Sequence, residues 1–586
     1  MIYEPPIKDM LFLVNEWQGI DQLSTLPGFE EVDPDLFAAV LEEAGKFAAT
    51  ELLSINATGD EHGVTLSDGK VSTPPGFCEA YAKFIEGGWT GIDADPEHGG
   101  QGLPKTLTHL IDEMLSATNL AFKLYAELSH AAYHLLATRA PEDIRERYLP
   151  QMVEGRFSGT MCLTEPHCGT DLGLLTTKAV PAGDGSYRIT GSKIFITSGD
   201  HDLTDNILHL VIARIEGAPA GTRGISLFLV PKFLLDENGA PGERNAVETA
   251  AVEHKMGIRA SATCALNFDD ATGYLIGEEN RGLAAMFQMM NTERLTVGIQ
   301  GLGFAEIAYQ NALAYARDRR QSRAPGDRPD PGKAADPIIW QPEIRRQLLT
   351  IRSQAEGARA LAVLAAMSVD TMERAADEAT RDAAGNLVAL LTPVVKAWFS
   401  DLGLESTLAA QQVYGGHGYV RDHGMEQLVR DCRITQIYEG TNEIQALDLV
   451  ARKLTGAIGE RADRFFDELE AALADGPADL AEPAAAALAR LRETTTRVRD
   501  WLETDPAAAH GAATRYLRQF ALTVVGCLWV QLAGVADRKD GDFYTVKRKT
   551  ARFYIDHVLP ETVALAAAIT AGRDALGEFR VEDFGD

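Results

Sequence analysis

The stretch Tyr187-Arg188-Ile189-Thr190-Gly191-Ser192-Lys193-Ile194-Phe195-Ile196-Thr197 is rich in β-branched and aromatic residues and is cut by a glycine. It reads as two short strands, Tyr187–Thr190 and Lys193–Thr197, and strands here decide the fold. Similar runs follow at His209–Ala213 and Gly224–Val230, with further candidates at Val252–Lys255, Ala262–Phe268 and Tyr274–Ile276. Short strands at this spacing predict a small all-β domain, a sandwich or barrel. On either side the texture is helical. Phe37, Val40, Leu41 and Ala44 recur at i, i+3, i+4 and i+7, the period of one helix face. Turn residues from Gly87 to Pro104 interrupt this pattern, and it resumes over Thr106–Thr138. Helical character returns after Gly282 and persists to about Gly456, broken by a Pro/Gly/Asp-rich loop at Ala324–Pro337. A last Ala-rich stretch carries Trp501, Leu517, Phe520, Val525, Leu528 and Trp529 at helical spacing, which predicts an additional bundle.

The expected organisation is an N-terminal extension (1–33), a helical domain (34–158), a β-barrel domain (159–281), a helical domain (282–456) and an additional C-terminal helical domain (457–586). The fold class is therefore mainly α with a central β-barrel. A chain of 586 residues exceeds what one hydrophobic core serves, so several domains are required. Lys and Arg total 55 against 85 Asp and Glu, a formal charge of −30. That field repels nucleic acid and anionic membrane, so neither is expected as a partner. The six cysteines form no C-x-x-C pair, so no metal site is expected and the usage fits a reducing cytoplasm. No uninterrupted run of 18 apolar residues appears, so no membrane span is expected.

Three segments carry the chemistry. Arg430-Asp431-Cys432-Arg433-Ile434-Thr435-Gln436-Ile437-Tyr438-Glu439-Gly440-Thr441-Asn442-Glu443-Ile444-Gln445 sets a carboxylate just before Gly-Thr, with Thr441 expected to cap a new helix. Gly440 permits close backbone approach to a ligand. Gln412-Val413-Tyr414-Gly415-Gly416-His417-Gly418-Tyr419 reads as a glycine-rich turn ending a helix. Met161-Cys162-Leu163-Thr164-Glu165-Pro166-His167-Cys168-Gly169-Thr170-Asp171 offers amides, hydroxyls and a bend suited to binding oxygen atoms of a ligand. Gly298-Ile299-Gln300-Gly301-Leu302-Gly303 has the wrong order for a dinucleotide fingerprint and follows a helix. Its glycines are expected to serve helix packing.

Together, and in this order, these motifs resemble the acyl-CoA dehydrogenase family. The resemblance covers roughly Trp89 to Arg452 and includes the early turn Gly99-Gly100-Gln101-Gly102-Leu103-Pro104. It implies an acyl-CoA dehydrogenase fold of helical bundle, β-barrel and helical bundle, FAD as cofactor and an acyl-CoA thioester as substrate. Residue by residue, Met161, Leu163, Thr164, Gly169 and Thr170 would bind FAD, with Thr170 also near the CoA pyrophosphate. Phe195 and Thr197 would flank the flavin ring. Arg319, Gln412 and Gly416 would contact the FAD of a neighbouring subunit, while Gly440 and Thr441 would hold their own. Asn291, Arg294 and Tyr438 would line the substrate site. Cys168, Phe195 and Gln427 depart from residues common in the family, and Arg319 lacks the usual Phe-Gly downstream.

The implied catalytic base is Glu439. Some family members place the base immediately before the arginine matching Arg294, which makes Glu293 the alternative base; both carboxylates are present here. Glu439 would take the α-proton as Cβ passes hydride to the flavin, and the Glu439 amide would help polarise the thioester carbonyl. Exclusion of water by the acyl chain is expected to raise the proton affinity of Glu439. The N-terminal extension and C-terminal domain resemble the large subgroup that includes 3-methylmercaptopropionyl-CoA dehydrogenases. That implies a homodimer, with electron-transferring flavoprotein as electron acceptor and 3-methylmercaptopropionyl-CoA or a short- to medium-chain acyl-CoA as substrate. An oxygen-using acyl-CoA oxidase and a flavin-bearing DNA-associated relative are the competing readings. The intact Glu439 and the Lys/Arg-poor tail argue against the latter.

Overall fold

The structure is a computed structural model that describes residues 1–326, 331–572 and 577–585. Part of the expected Ala324–Pro337 loop (327–330), and 573–576 and 586 of the C-terminal domain, lie outside the described residues. The elements used below are α1 (Pro34–Phe47), α2 (Leu53–His62), β1 (Thr65–Ser67), β2 (Lys70–Ser72), α3 (Phe77–Glu86), α4 (Lys105–Arg139), α5 (Glu142–Val153), β3 (Phe157–Cys162), β4 (Lys178–Pro181), β5 (Tyr187–Thr197), β6 (Asn206–Ile215), β7 (Ile225–Pro231), β8 (Phe233–Leu235), β9 (Pro241–Arg244), β10 (Val247–Val252) and β11 (Thr263–Ile276). There follow α6 (Gly282–Asp318), α7 (Pro342–Arg374), α8 (Glu378–Tyr414), α9 (Met425–Cys432), α10 (Asn442–Asp448), α11 (Gly456–Ala472), α12 (Ala478–Thr504), α13 (Pro506–Asp537), α14 (Asp542–His557) and α15 (Glu561–Thr570).

The chain forms two compact units, each discontinuous in sequence. One comprises Phe47–Leu103 and Thr118–Glu293. Its centre is a seven-stranded sheet of order β10-β11-β5-β4-β6-β3, with β7 paired to both β11 and β6. Most neighbours are antiparallel, but β3 runs parallel to β6 over six residue pairs. Every residue of β3 and β7 is buried, the pattern of a strand covered on both faces. The long strand β5 joins two runs that the sequence shows separately, because Gly191 continues the strand instead of ending it. There Gly191 lies so close to Thr177 that a Cβ would sit 2.4 Å from its Oγ1. In the helical part of this unit, Asn119 has φ −161° and ψ 85° inside α4. Its side chain accepts the amide of Phe122 at 3.0 Å, which restarts the helix with a cap.

The other unit comprises Met1–Lys46, Pro104–Ala117 and Arg294–Asp586 and is helical. Two of its helices, Glu378–Tyr414 and Pro506–Asp537, are long and apolar enough to cross a membrane. Their most apolar windows are 83% and 89% buried inside the protein, so they are core helices of this unit. Helices α6 and α8 approach at backbone contact. A Cβ on Gly301 would lie 2.2 Å from the Phe399 carbonyl, and one on Gly298 would lie 2.7 Å from that of Val395. The glycines expected to serve packing do so. This contact sets the spacing between Arg294 and Gln300 on α6 and Lys396 on α8.

At the heart of the helical unit is a buried charge cluster. Arg359 of α7 binds Glu113 of α4 through Nε and Nη2, Glu306 of α6 at 2.6 Å and Asp9 at 2.5 Å. Lys547 of α14 pairs with the same Asp9 and, at 2.7 Å, with Glu356. Asp9 thus ties the N-terminal segment to the core helices and to the C-terminal bundle at once.

Candidate active site

In the sheet-bearing unit, β3 delivers Met161 and Cys162 to a loop folded back on itself. Glu165 and Cys168 exchange both backbone hydrogen bonds, at 2.9 and 3.0 Å. The Glu165 side chain points inward, 2% exposed. It accepts the amides of Thr176 (2.7 Å) and Thr177 (3.0 Å), the Thr176 hydroxyl (2.8 Å) and Lys193 Nζ (2.9 Å). Burial pushes this carboxyl up, but Lys193 and the other donors outweigh it and hold it at about 2. Lys193 Nζ also donates to the Leu163 carbonyl at 2.9 Å, and the Ile194 amide donates to the Thr164 carbonyl at 2.9 Å. Leu163 and Thr164 are thereby laid alongside the part of β5 that carries Phe195 and Thr197.

Phe195 has φ +59°, and the residue is 60% exposed. A bulky residue in the left-handed region is strained, and an exposed phenyl forgoes burial. Both are accounted for if the ring meets a flat apolar ligand. Gly169 faces open space where a Cβ would stand, and Thr170 beside it is exposed. Anchored amides and carbonyls, an exposed aromatic side chain and an open glycine turn fit the isoalloxazine and ribityl portions of FAD. Asn291 is exposed, whereas Glu293 is 2% exposed.

In the helical unit, Glu439 and Gly440 both take left-handed backbone conformations, with φ +56° and +85°. They turn the chain into α10, which Thr441 caps by accepting the Ile444 amide, as the sequence pattern indicates. Gln445, fully buried, donates to the Glu439 carbonyl at 3.1 Å. On the other side Asn442 is bolted to α8. It donates to the Ala397 carbonyl (3.1 Å) and to Asp401 (2.7 Å), and accepts from Lys396 Nζ (2.9 Å). The Glu439 side chain is half-buried, so it is accessible yet held on a rigid turn. Tyr438 donates its hydroxyl to Gln300 of α6, which is fully buried. Burial pulls the Arg294 guanidinium down from its usual range, opposed by Asp448 and Glu439.

Gln412 and Gly416 lie exposed at the C-terminal end of α8, where Gly415 has φ +59°. Beside them Tyr315 and Tyr414 stack with centroids 4.1 Å apart, and the Tyr315 hydroxyl lies 2.8 Å from His417 Nδ1. Arg319 follows α6 and is exposed; its amide bonds to the Tyr315 carbonyl at 2.8 Å. Within this unit Arg319, Gln412 and Gly416 thus lie around one aromatic stack, as Arg294, Tyr438, Gly440 and Thr441 surround Glu439.

Sequence reasoning passed over Lys193, Lys396, Asn442 and Gln445. Lys396 carries a signal in retrospect: it is a single cation inside an otherwise apolar run, Val394 to Phe399.

Known proteins bear directly on this arrangement. Residues 37–156 match the acyl-CoA dehydrogenase N-terminal domain, 160–271 the middle domain and 280–455 the acyl-CoA dehydrogenase C-terminal domain. The chain belongs to the acyl-CoA dehydrogenase family. Residues 465–580 of this dehydrogenase match a further domain described as acetyl-CoA dehydrogenase C-terminal like. The chain is 39% identical to 3-methylmercaptopropionyl-CoA dehydrogenase of Ruegeria pomeroyi, over 98% of its length and 99% of the relative's. It is 36% identical to the broad-specificity linear acyl-CoA dehydrogenase of Mycobacterium tuberculosis, over 77% of its length and 75% of the relative's. The structure of Caenorhabditis elegans ACDH-11 in complex with C11-CoA superposes with a TM-score of 0.76 at 19% identity, covering 99% of this chain and 96% of that one. It shares the fold. The dehydrogenase is an FAD-dependent flavoprotein oxidoreductase acting on acyl-CoA thioesters.

Proposed function

We propose that Glu439 is the base of an α,β-dehydrogenation that converts an acyl-CoA to its enoyl-CoA. The observation that carries this reading is the Glu439–Gly440 turn, clamped by Gln445 on one side and Asn442 on the other. A carboxylate at a strained but braced position is pre-aimed, and proton abstraction depends steeply on such aim. Glu293, the alternative base, is 2% exposed and so less open to a substrate than the half-buried Glu439.

FAD supplies the hydride acceptor. Met161, Leu163, Thr164, Gly169, Thr170, Phe195 and Thr197 would hold it, with Gly440 and Thr441 contributing from the turn that carries the base. Arg319, Gln412 and Gly416, with the half-buried aromatic stack beside them, would meet the FAD of a second copy, so the working form is a homodimer. Thr170, Asn291, Arg294 and Tyr438 would bind the CoA ester, and the Arg294 cation offsets the acidity of the chain. Glu439 removes the α-proton, and its backbone amide donates to the thioester carbonyl as negative charge develops there. Exclusion of water around Glu439 strengthens each of these interactions.

An acyl-CoA substrate and a flavoprotein electron partner fit the family. Electron-transferring flavoprotein, in the cytoplasm, takes the electrons. A short or medium acyl chain is the substrate class, with 3-methylmercaptopropionyl-CoA the first to test because the Ruegeria relative matches end to end. Anaerobic titration of the yellow protein with an acyl-CoA panel tests the reading. Bleaching of the flavin by one class of acyl-CoA, abolished in Glu439→Gln with FAD still bound, is the expected result. A Glu439→Gln protein that bleaches at the normal rate would overturn it.

A further inference from the structure

Lys396 sits at the middle of α8 with none of its side chain exposed. A buried ammonium is costly unless a countercharge or several acceptors meet it. Among the described residues its Nζ makes one hydrogen bond, to the neutral amide oxygen of Asn442 at 2.9 Å. The charges that act on it are Glu439 first, then Asp401 on its own helix, Arg294 from α6 and Glu443 from α10. The strongest attraction on this cation therefore comes from the carboxylate assigned as the base. Asp401, the next in rank, is already engaged by Asn442 Nδ2 and Gln436 Nε2.

Geometry makes the connection mechanical as well. Asn442 is the first residue of α10, three positions after Glu439. Its side chain is saturated by α8: its Nδ2 reaches Ala397, Ser400 and Asp401, and its Oδ1 receives Lys396 and the Ser400 hydroxyl. An asparagine with both ends satisfied has one orientation. Lys396 thus fixes the joint on which the Glu439 turn rests, and its charge acts on the Glu439 carboxylate.

We propose that Lys396 is the positioning residue of the catalytic base, holding the Asn442 joint and favouring the ionised, proton-accepting form of Glu439. The inference rests on Glu439 being the base. It gives Lys396 no contact with substrate; it acts through Glu439. Burial draws its own ammonium down to about 7 while Glu439 and Asp401 oppose that pull, so the charge is present on the acid side of neutrality. There the ionisation of Glu439 controls the rate.

The test is the pH profile of kcat/KM for flavin reduction in the holoenzyme. Removing a nearby cation makes a carboxylate harder to ionise. In Lys396→Met the acid limb should move up by about one pH unit, with FAD content unchanged. Asn442→Asp gives Lys396 a formal countercharge while leaving the lysine in place, and should move the limb in the same direction. If Lys396→Met yields no soluble flavoprotein, Asn442→Asp carries the test alone. A limb that stays at the wild-type pH in the variants that retain FAD overturns the inference, whether or not the rate falls. Glu439→Gln is measured alongside. If it keeps the full rate, the assignment of the base fails; if it is inactive while the limb of the Lys396 variant stays put, only the role of Lys396 fails.

Discussion

Lys193 Nζ lies 2.9 Å from Glu165 Oε1, and the side chains are 0% and 1% exposed. This pair stands behind the Leu163–Thr164 backbone, which Lys193 also grips through the Leu163 carbonyl. A buried pair contributes little net stability over an apolar replacement, but breaking it leaves a naked charge. Its value here is orientation: it sets the loop that would receive the flavin against the strand bearing Phe195.

Lys193→Met should therefore cost about 3–5 kcal/mol, since Glu165 keeps its burial and loses its cation. The expected readout is a lower Tm together with loss of FAD on gel filtration. Retention of both would show that the loop holds its shape without the pair.

Acid should act on the same pair. Glu165 is held at about 2 in the folded protein against an ordinary 4.5. A carboxyl lowered by folding contributes stability above its unfolded value and loses it as pH falls through its folded value. The stability gap between wild type and Glu165→Gln should be constant above about pH 4.5 and shrink toward pH 2. Thermal melts across that range measure it, and a gap that widens in acid contradicts the assignment.

Lys396 should behave in the opposite pH range. Folding lowers it from 10.5 to about 7, so between those values the unfolded chain binds more protons and stability rises with pH. Lys396→Met should be more stable than wild type near pH 6, by on the order of 4 kcal/mol before losses in packing. That advantage should fade as pH approaches 10. Chemical denaturation at several pH values checks the trend, and a pH-independent difference would refute it.

Close packing of α6 on α8 makes a further prediction. Gly301→Ala would set a methyl 2.2 Å from the Phe399 carbonyl, and backbone must move to admit it. Overpacking of this kind costs about 1–3 kcal/mol. Because the same contact spaces Arg294 from Lys396, KM for the CoA ester should rise as well. An alanine variant with wild-type Tm would show that the helices separate easily.

Much of the fold could be read from residue patterns, because periodicity reports which face is buried. The turn at Glu439–Gly440 and its cap at Thr441 were legible from residue type alone. So was the packing role of Gly298, Gly301 and Gly303. The hairpin Thr65–Ser72 was not, since strands of three residues with mostly exposed side chains carry no period. Nor was the continuity of β5 through Gly191, whose glycine reads as a break until Thr177 is seen against it. The positioning residues were hidden for a different reason. Lys396 and Asn442 are 46 residues apart, and Arg359 and Asp9 are 350 apart. A charge in an apolar helix announces that a partner exists, but sequence spacing does not name it.

Asp9 has a consequence for how this chain reaches its final form. Its partners Arg359 and Lys547 lie 350 and 538 residues downstream. During synthesis, at some 5–20 residues per second, residues 1–9 leave the ribosome long before Lys547 exists. Until residue 359 is made the Asp9 carboxylate has neither cation, and from then until residue 547 it has Arg359 alone. The cluster around Asp9 is therefore completed only when α14 is in place. One carboxylate thus makes the closing of the core wait on a helix more than 500 residues further along the chain.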